Sequence, residues 1–326
     1  MAVWTVGPTL GAYLDHQTAY ADALAAVDHG AEIRTVEDGV YAGQVLDMSG
    51  LNAIRLTRAN GVDCTIGLDT SGFYAFTISP GMTVDGVKIS GKTNRTIYST
   101  GGEATFNNVT FYLESGTAGY MFRSIVGGTF NLTSCSILGD VQSVTWMFIL
   151  FDGSEVHLNN VFVSDNITVS GTYGMVYAYD GVAASITMRG TNSPSSNLLK
   201  VRITSTVASL VVDGAYAPHL VSIEGAVTAF AGGYNVYNTT DAGTTSAGDV
   251  SGVTDFQVDA NGTPLEGSPL IGVIPVGVDV GTSSLDAYGN PRISGPSQDV
   301  GPVERQVVPD RYLPVGGSRY ITNSRS

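Results

Sequence analysis

One pattern constrains this chain more than any other: a two-residue corner that returns about every 24 residues with the same side-chain characters around it. Its second position is held by Gly39, Gly61, Gly86, Asn108, Ser134, Asn160, Gly190, Gly214 and Gly233, mostly residue types that tolerate left-handed or tight-turn backbone. One residue later stand Val40, Val62, Val87, Val109, Cys135, Val161, Thr191, Ala215 and Tyr234. Three residues later stand Ala42, Cys64, Ile89, Phe111, Ile137, Val163, Ser193, Ala217 and Val236, with mostly polar residues such as Asp63, Lys88, Thr110 and Ser136 between the two columns. Inside, outside, inside at period two is the signature of a half-buried strand. Two residues before that second position the apolar set returns as Val84, Phe106, Leu132, Leu158, Met188 and Val212. Further strands are expected in the runs ending at Ile125, Phe151, Tyr179, Ile203 and Ile223.

About three strands and three corners per repeat, with like residues stacking on like, describe an all-β fold: a right-handed parallel β-helix of nine to ten coils. Rungs about 4.8 Å apart place Cys64 and Cys135 three coils and roughly 14 Å from each other, too far for a disulfide. One stretch reads as a capping helix, with Asp15 as N-cap, Tyr20, Ala23, Leu24 and Val27 on the apolar face and Gly30 as the stop. The expected organisation is an N-terminal segment and capping helix over 1–30, coils over 31–238, a loop and terminal coil module over 239–304, and a C-terminal tail over 305–326.

Only 13% of residues are charged, and 15 basic against 29 acidic residues leave a formal charge of −14. That balance opposes nucleic acid, anionic lipid and polyanionic sugar as partners unless a local basic groove exists. The opening MAVWTVGPTL has neither a basic stretch nor an apolar core, so no Sec signal peptide is expected, and the longest unbroken apolar run, Trp146 to Phe151, is too short for membrane insertion.

The entrance segment is AYADALAAVDHGAEIRTVEDGVYAG at 19–43, and the end carries GSPLIG at 267–272, DAYGNPR at 286–292 and DVGPVE at 299–304. With these segments the chain resembles the pectate-lyase-like superfamily of right-handed parallel β-helices, and the three closing pieces carry the more specific likeness. These three pieces are similar to the closing module of bacterial surface and phage virion β-helix proteins. The resemblance implies a fold and a habitat rather than a reaction, because enzymes, adhesins and inert rods share it.

Beside the third strand the repeat stacks Asp152, Asp180 and Glu224, with Arg202 one coil on from Asp180. Two carboxylates roughly 5 Å apart on adjacent coils would suit a glycan or a cation such as calcium, or the separation used by retaining glycosidases. Each Asp-Gly pair also closes a turn without any ligand, which is the simpler reading. Tyr173, Tyr177 and Tyr179 are candidates for stacking on sugar rings, although Tyr179 falls in an inward column. His16, His29, His157 and His219 have no metal-ligand spacing and read as solvated or corner residues, so no metal and no cofactor other than calcium enters the reading. Arg305, Arg311, Arg319 and Arg325 make the tail basic, a surface for a partner chain.

The functional expectation is a structural protein of a phage-like virion: a capsid spike, decoration or tail-associated attachment protein presenting a rigid flank to host-surface glycans. Its partners would be other virion proteins, through the tail and the N-terminus, further copies of itself as a trimer, and surface polysaccharide. It would be found in the virion or outside the cell. The alternative is a polysaccharide lyase or glycosidase, a depolymerase using Asp152 and Asp180; a bacterial adhesin is the third reading.

Overall fold

The computed structural model describes residues 2–305 other than 69–73, 93–96, 100, 115–117, 125–126, 141, 165, 170–174, 180–181, 193–200, 204–205, 241–243, 276, 283 and 293–296. The chain winds as a parallel β-helix, with three parallel sheets meeting at corners. Sheet 1 has ten strands, from Val3–Val6 to Ala226–Gly233; sheet 2 has six, from Gly39–Gln44 to Phe162–Val163; sheet 3 has eight, including Leu46–Asp47, Ala118–Ser124, Gln142–Leu150 and Val201–Ile203. The coil count differs from the expected nine to ten: sheet 1 has ten rungs, but among the described residues six turns carry a strand on all three sheets, sheet 2 ending at the sixth.

The repeat columns hold from the third turn onward. Gly86, Asn108, Ser134, Asn160, Gly190 and Gly214 all lie in the left-handed region, with φ between 51° and 70°. Glycine adopts that conformation freely and asparagine more readily than most residues, which is why these types recur there. Val84, Phe106, Leu132, Leu158, Met188 and Val212 before the corner, and Val87, Val109, Cys135 and Val161 after it, are fully buried. Each such side chain removed from water contributes about 1.5–3 kcal/mol. Phe122 centres an aromatic cluster inside the rod, stacked on Phe148 at 4.5 Å and edge-on to Phe111 at 5.1 Å.

At the ends of the repeat the spacing misleads. Gly39 pairs with Cys64 rather than with Gly61, since residues 59–62 loop out after the strand Arg55–Arg58. Val40, expected inside, is therefore 73% exposed, and Tyr41 takes the inward position. At the other end Asp213 pairs with Gly233, so the left-handed corner residue is Tyr234, at φ 56°. Cys64 falls into the column of Val87, Val109 and Cys135, three rungs from its fellow cysteine; both thiols are free and buried.

The helix His16–Ala25 closes the first rungs, and Asp15 caps it as expected, its Oδ1 accepting from Thr18 N at 2.7 Å. Tyr20 and Ala23 are buried, but the apolar face stops there: Leu24 is 41% exposed and Val27, already beyond the helix, 65%. His16 departs furthest from expectation, being fully buried rather than solvated. Its Nε2 lies 2.8 Å from Thr35 Oγ1 and its ring meets Tyr41 edge-on at 5.0 Å.

Residues 256–304 fold back along the flank of the rod as a clasp. They turn outward positions into buried ones: Phe162 packs with Ala287 and Val303, and Tyr216 with Phe256, Leu270, Ile274 and Val300. Backbone and amide bonds fasten the two layers, with Gly301 N donating to Gly214 O at 2.8 Å and Asn159 Nδ2 to Gly281 O at 3.0 Å. Under this cover Asn192 joins adjacent rungs, its Oδ1 accepting from Val163 N at 2.8 Å while its Nδ2 donates to Val163 O at 3.0 Å.

The three motif pieces of the closing segment knit into one cluster inside the clasp. Asp286 Oδ1 accepts from Tyr288 N and Asn290 N at 2.9 and 2.8 Å, closing the turn of DAYGNPR. Asp299 Oδ1 accepts from Gly272 N at 2.8 Å, which ties GSPLIG to DVGPVE, and Glu304 Oε2 accepts from Asp299 N at 3.1 Å. At the centre Arg292, 2% exposed, donates to the carbonyls of Gly301 and Asp299. The Gln298 side-chain oxygen, in the orientation its neighbours require, accepts from Arg292 Nε at 2.7 Å. Burial pulls the Arg292 guanidinium below its usual pKa, and the charges of Glu304, Asp286 and Asp299 oppose that pull. Burial likewise pushes Asp299 up.

Candidate functional site

Sheet 3 presents a row of rings and one guanidinium on its outer surface. The strand alternation sends Ile97, Phe122, Phe148 and Val176 into the core. The positions between them, Tyr98, Arg123, Ile149 and Tyr177, stack on successive rungs of the opposite face. Phe151 and Tyr179 continue the same side two residues further on, and Tyr74 reaches in from the preceding corner.

Tyr74 lies on Tyr98 with ring centroids 4.0 Å apart. Arg123 Nη1 donates to Tyr74 Oη at 2.5 Å, and its guanidinium carbon sits 5.0 Å from the Phe151 ring centroid. Tyr179 then meets Phe151 at 5.5 Å and Tyr177 at 5.4 Å, so the rings run without a break across the sheet. Ile149 and Tyr177 are buried, whereas Tyr179 is 51% exposed. The inward placement expected for Tyr179 is thus corrected: Ala178 points inward and Tyr179 outward, as strand alternation from Val176 requires. A rigid sheet carrying aromatic faces around an arginine suits a ligand with flat apolar faces and a negative group, since rings offer stacking surface and a guanidinium binds carboxylates in a fork.

Where the structure describes them, the carboxylates expected beside this strand lie in turns. Asp152 is exposed directly after Phe151, in the turn leading back to sheet 1; its carbonyl accepts from Gly127 N at 2.9 Å and Gly153 takes φ 69°. Asp180 lies outside the described residues. Arg202 is in register with Tyr177, and Glu224 stands exposed in the turn before Ala226–Gly233. Rung counting puts Glu224 three rungs beyond Asp152, about 14 Å at the usual spacing, so these two do not share one ligand atom. Among the tail arginines only Arg305 is described, its backbone N bound to Asp299 Oδ2 at 2.9 Å; Arg311, Arg319 and Arg325 lie outside the described residues. Tyr173 does too.

Among the described residues, no group of three or more His, Cys, Asp or Glu side chains is placed to hold a metal ion, and no helix is long and apolar enough to cross a membrane. Sequence reasoning passed over Tyr74, Tyr98, Arg123 and Phe151. The available signal was the outward column on either side of Ile149, which becomes readable once sheet 3 is in register.

No protein-family model, curated protein or solved structure matches this chain.

Proposed function

We propose that this protein is a non-catalytic structural rod of a phage-like virion, which attaches to acidic glycans of a host surface through the outer row of sheet 3. The observation that carries the reading is the unbroken contact of Tyr98, Tyr74, Arg123, Phe151 and Tyr179 on a face that the sheet holds rigid. Sugar rings have apolar faces that stack on such side chains, and a uronate or comparable acidic sugar adds a carboxylate for the guanidinium. With a formal charge of −14 on the whole chain, a local cation matters more for an anionic ligand than it would on a basic protein.

The virion assignment is supported by the resemblance of the closing segment and by its form, a clasp that seals the flank of the rod. The basic tail beginning at Arg305, in this reading, joins the rod to other virion proteins or to two further copies of itself.

The test incubates the protein with bacterial capsular and lipopolysaccharide glycans and follows retention, reducing ends and unsaturated-uronate absorbance together. Retention of acidic glycans without new ends is expected, with at least a tenfold loss of affinity in Tyr179→Ala and in Arg123→Gln. Cleavage that disappears in Asp152→Asn or Asp180→Asn would replace this reading by the depolymerase. Normal particle incorporation of a chain ending at residue 304 would remove the anchoring role of the tail.

A further inference from the structure

A second concave surface lies on a different flank, where the corner between sheets 1 and 2 meets the clasp. It is a groove of about 530 Å³, inside the range of roughly 300–1,000 Å³ common for small-molecule sites. Its floor is the left-handed corner ladder, Gly86, Asn108 and Ser134 on successive rungs, together with Thr110 and Ser136 from the outer surface of sheet 2. The looped-out second corner, with Arg58, forms one end, and Tyr288 of the clasp forms the other.

The side chains at both ends are held in place. Tyr288 donates its hydroxyl to Asn261 O at 3.0 Å and rests against Phe162 at 5.9 Å, yet remains 44% exposed. Burial of that hydroxyl, with the charges of Asp259 and Asp286, pushes it up to about 12, so Tyr288 offers a neutral ring at any physiological pH. Arg58 Nη1 is anchored on Val62 O at 2.5 Å. Within the lining one guanidinium, Arg58, is matched by one carboxylate, Asp85, which accepts from Asn108 Nδ2 at 3.4 Å. Lys88 is engaged by Asp63 at 2.8 Å and is not part of the lining.

We infer that this groove is a binding site for a short uncharged oligosaccharide lying along the rod axis. The charges of the lining balance, so it favours neither an anion nor a cation. Its hydroxyl and amide groups, with the carboxylate and guanidinium, offer both donors and acceptors, as a ligand dense in hydroxyls requires. Tyr288 supplies a face for one sugar ring at the clasp end. Corner positions recur every rung, about 4.8 Å, so equivalent groups repeat along the groove on the length scale of successive sugar units. This site shares no residue with the outer row of sheet 3 and does not rest on it.

The test displays a glycan array of uncharged and acidic bacterial oligosaccharides to the intact protein, then titrates the strongest uncharged ligand by calorimetry. Thr110→Trp fills the groove floor at a strand position that accepts an aromatic side chain, and Tyr288→Ala removes the ring. Wild type is expected to retain at least one uncharged oligosaccharide. Thr110→Trp, with an unchanged thermal melt, should lose at least tenfold in affinity, Tyr288→Ala a comparable amount, and Tyr179→Ala nothing. The inference is overturned if wild type retains no uncharged glycan, if Thr110→Trp binds as wild type does, or if Tyr179→Ala is the variant that abolishes binding. Loss of acidic glycans alone in Tyr179→Ala bears on the sheet 3 row and leaves the groove standing.

Discussion

From Val87 to Val161 the rod buries four side chains in a line, all apolar but for one thiol, while from Asp286 to Glu304 the clasp buries a guanidinium among three carboxylates. The two regions are equally closed to water and are stabilised by different physics. In the rod each rung contributes transfer free energy and dispersion, and like residues can replace one another because only volume and apolarity matter. In the clasp the desolvation of each charge is offset only while every partner is present. The rod is therefore tolerant and the clasp specific, which accounts for the low charge content of the coils and for the closely spaced motif of the closing segment.

The comparison breaks most visibly at Val109, fully buried in the middle of the column. Val109→Asp places a carboxylate among apolar neighbours with no partner, a cost of several kcal/mol or more. The variant is expected to aggregate or to lose cooperative unfolding in calorimetry, and a soluble protein melting at the wild-type temperature would show that the column is not interior.

Arg292→Met should cost a few kcal/mol within the clasp, about 1–3 kcal/mol for each buried acceptor left unmade, because the carbonyls of Gly301 and Asp299 lose their donor. The damage should stay local. Limited proteolysis is expected to open residues 256–304 while the far-ultraviolet dichroism of the rod persists, and a variant as protease-resistant as wild type would mean that the cluster contributes little to seating the clasp.

The helix-capped end provides the intermediate case, a buried polar side chain with one hydrogen-bond partner, Thr35, among the described residues. Burial lowers His16 from 6.5 to about 4 in the folded chain, partly opposed by the charge of Asp15. The unfolded chain thus takes up its proton first as pH falls. The stability that His16 contributes is complete above about pH 6.5, declines as pH drops from there toward 4, and falls no further below it, a change of about 3 kcal/mol. Chemical denaturation at pH 7 and at pH 4.5 should differ by less in His16→Gln than in wild type; equal pH dependence in both would place the acid sensitivity elsewhere.

Much of the fold is legible in the sequence. The alternation about Lys88, Thr110 and Ser136 and the recurrence of Gly, Asn and Ser at the corners follow from local rules, strand pleat and left-handed backbone, so they determined a parallel β-helix, the core columns and the separation of the two cysteines. The same local rules misplaced Gly39, Gly61 and Gly233, because a repeat spacing is blind to where a corner loops out and hydrogen-bonded register is not. They also left Phe162 and Tyr216 as outward residues.

What covers those two side chains comes from residues 256–304, distant in sequence, and no periodicity connects the two segments. Both proposed binding surfaces have this origin. The sheet 3 row brings together Tyr74, Tyr98, Arg123, Phe151 and Tyr179 from several rungs, and the groove sets Arg58 opposite Tyr288 across more than two hundred positions of chain. Sequence alone determined the rod, since each rung repeats the same short-range chemistry. Only the tertiary structure decided which of its outer surfaces are covered and which are left open to a ligand, because that depends on how separate rungs align and on where the closing segment comes to rest.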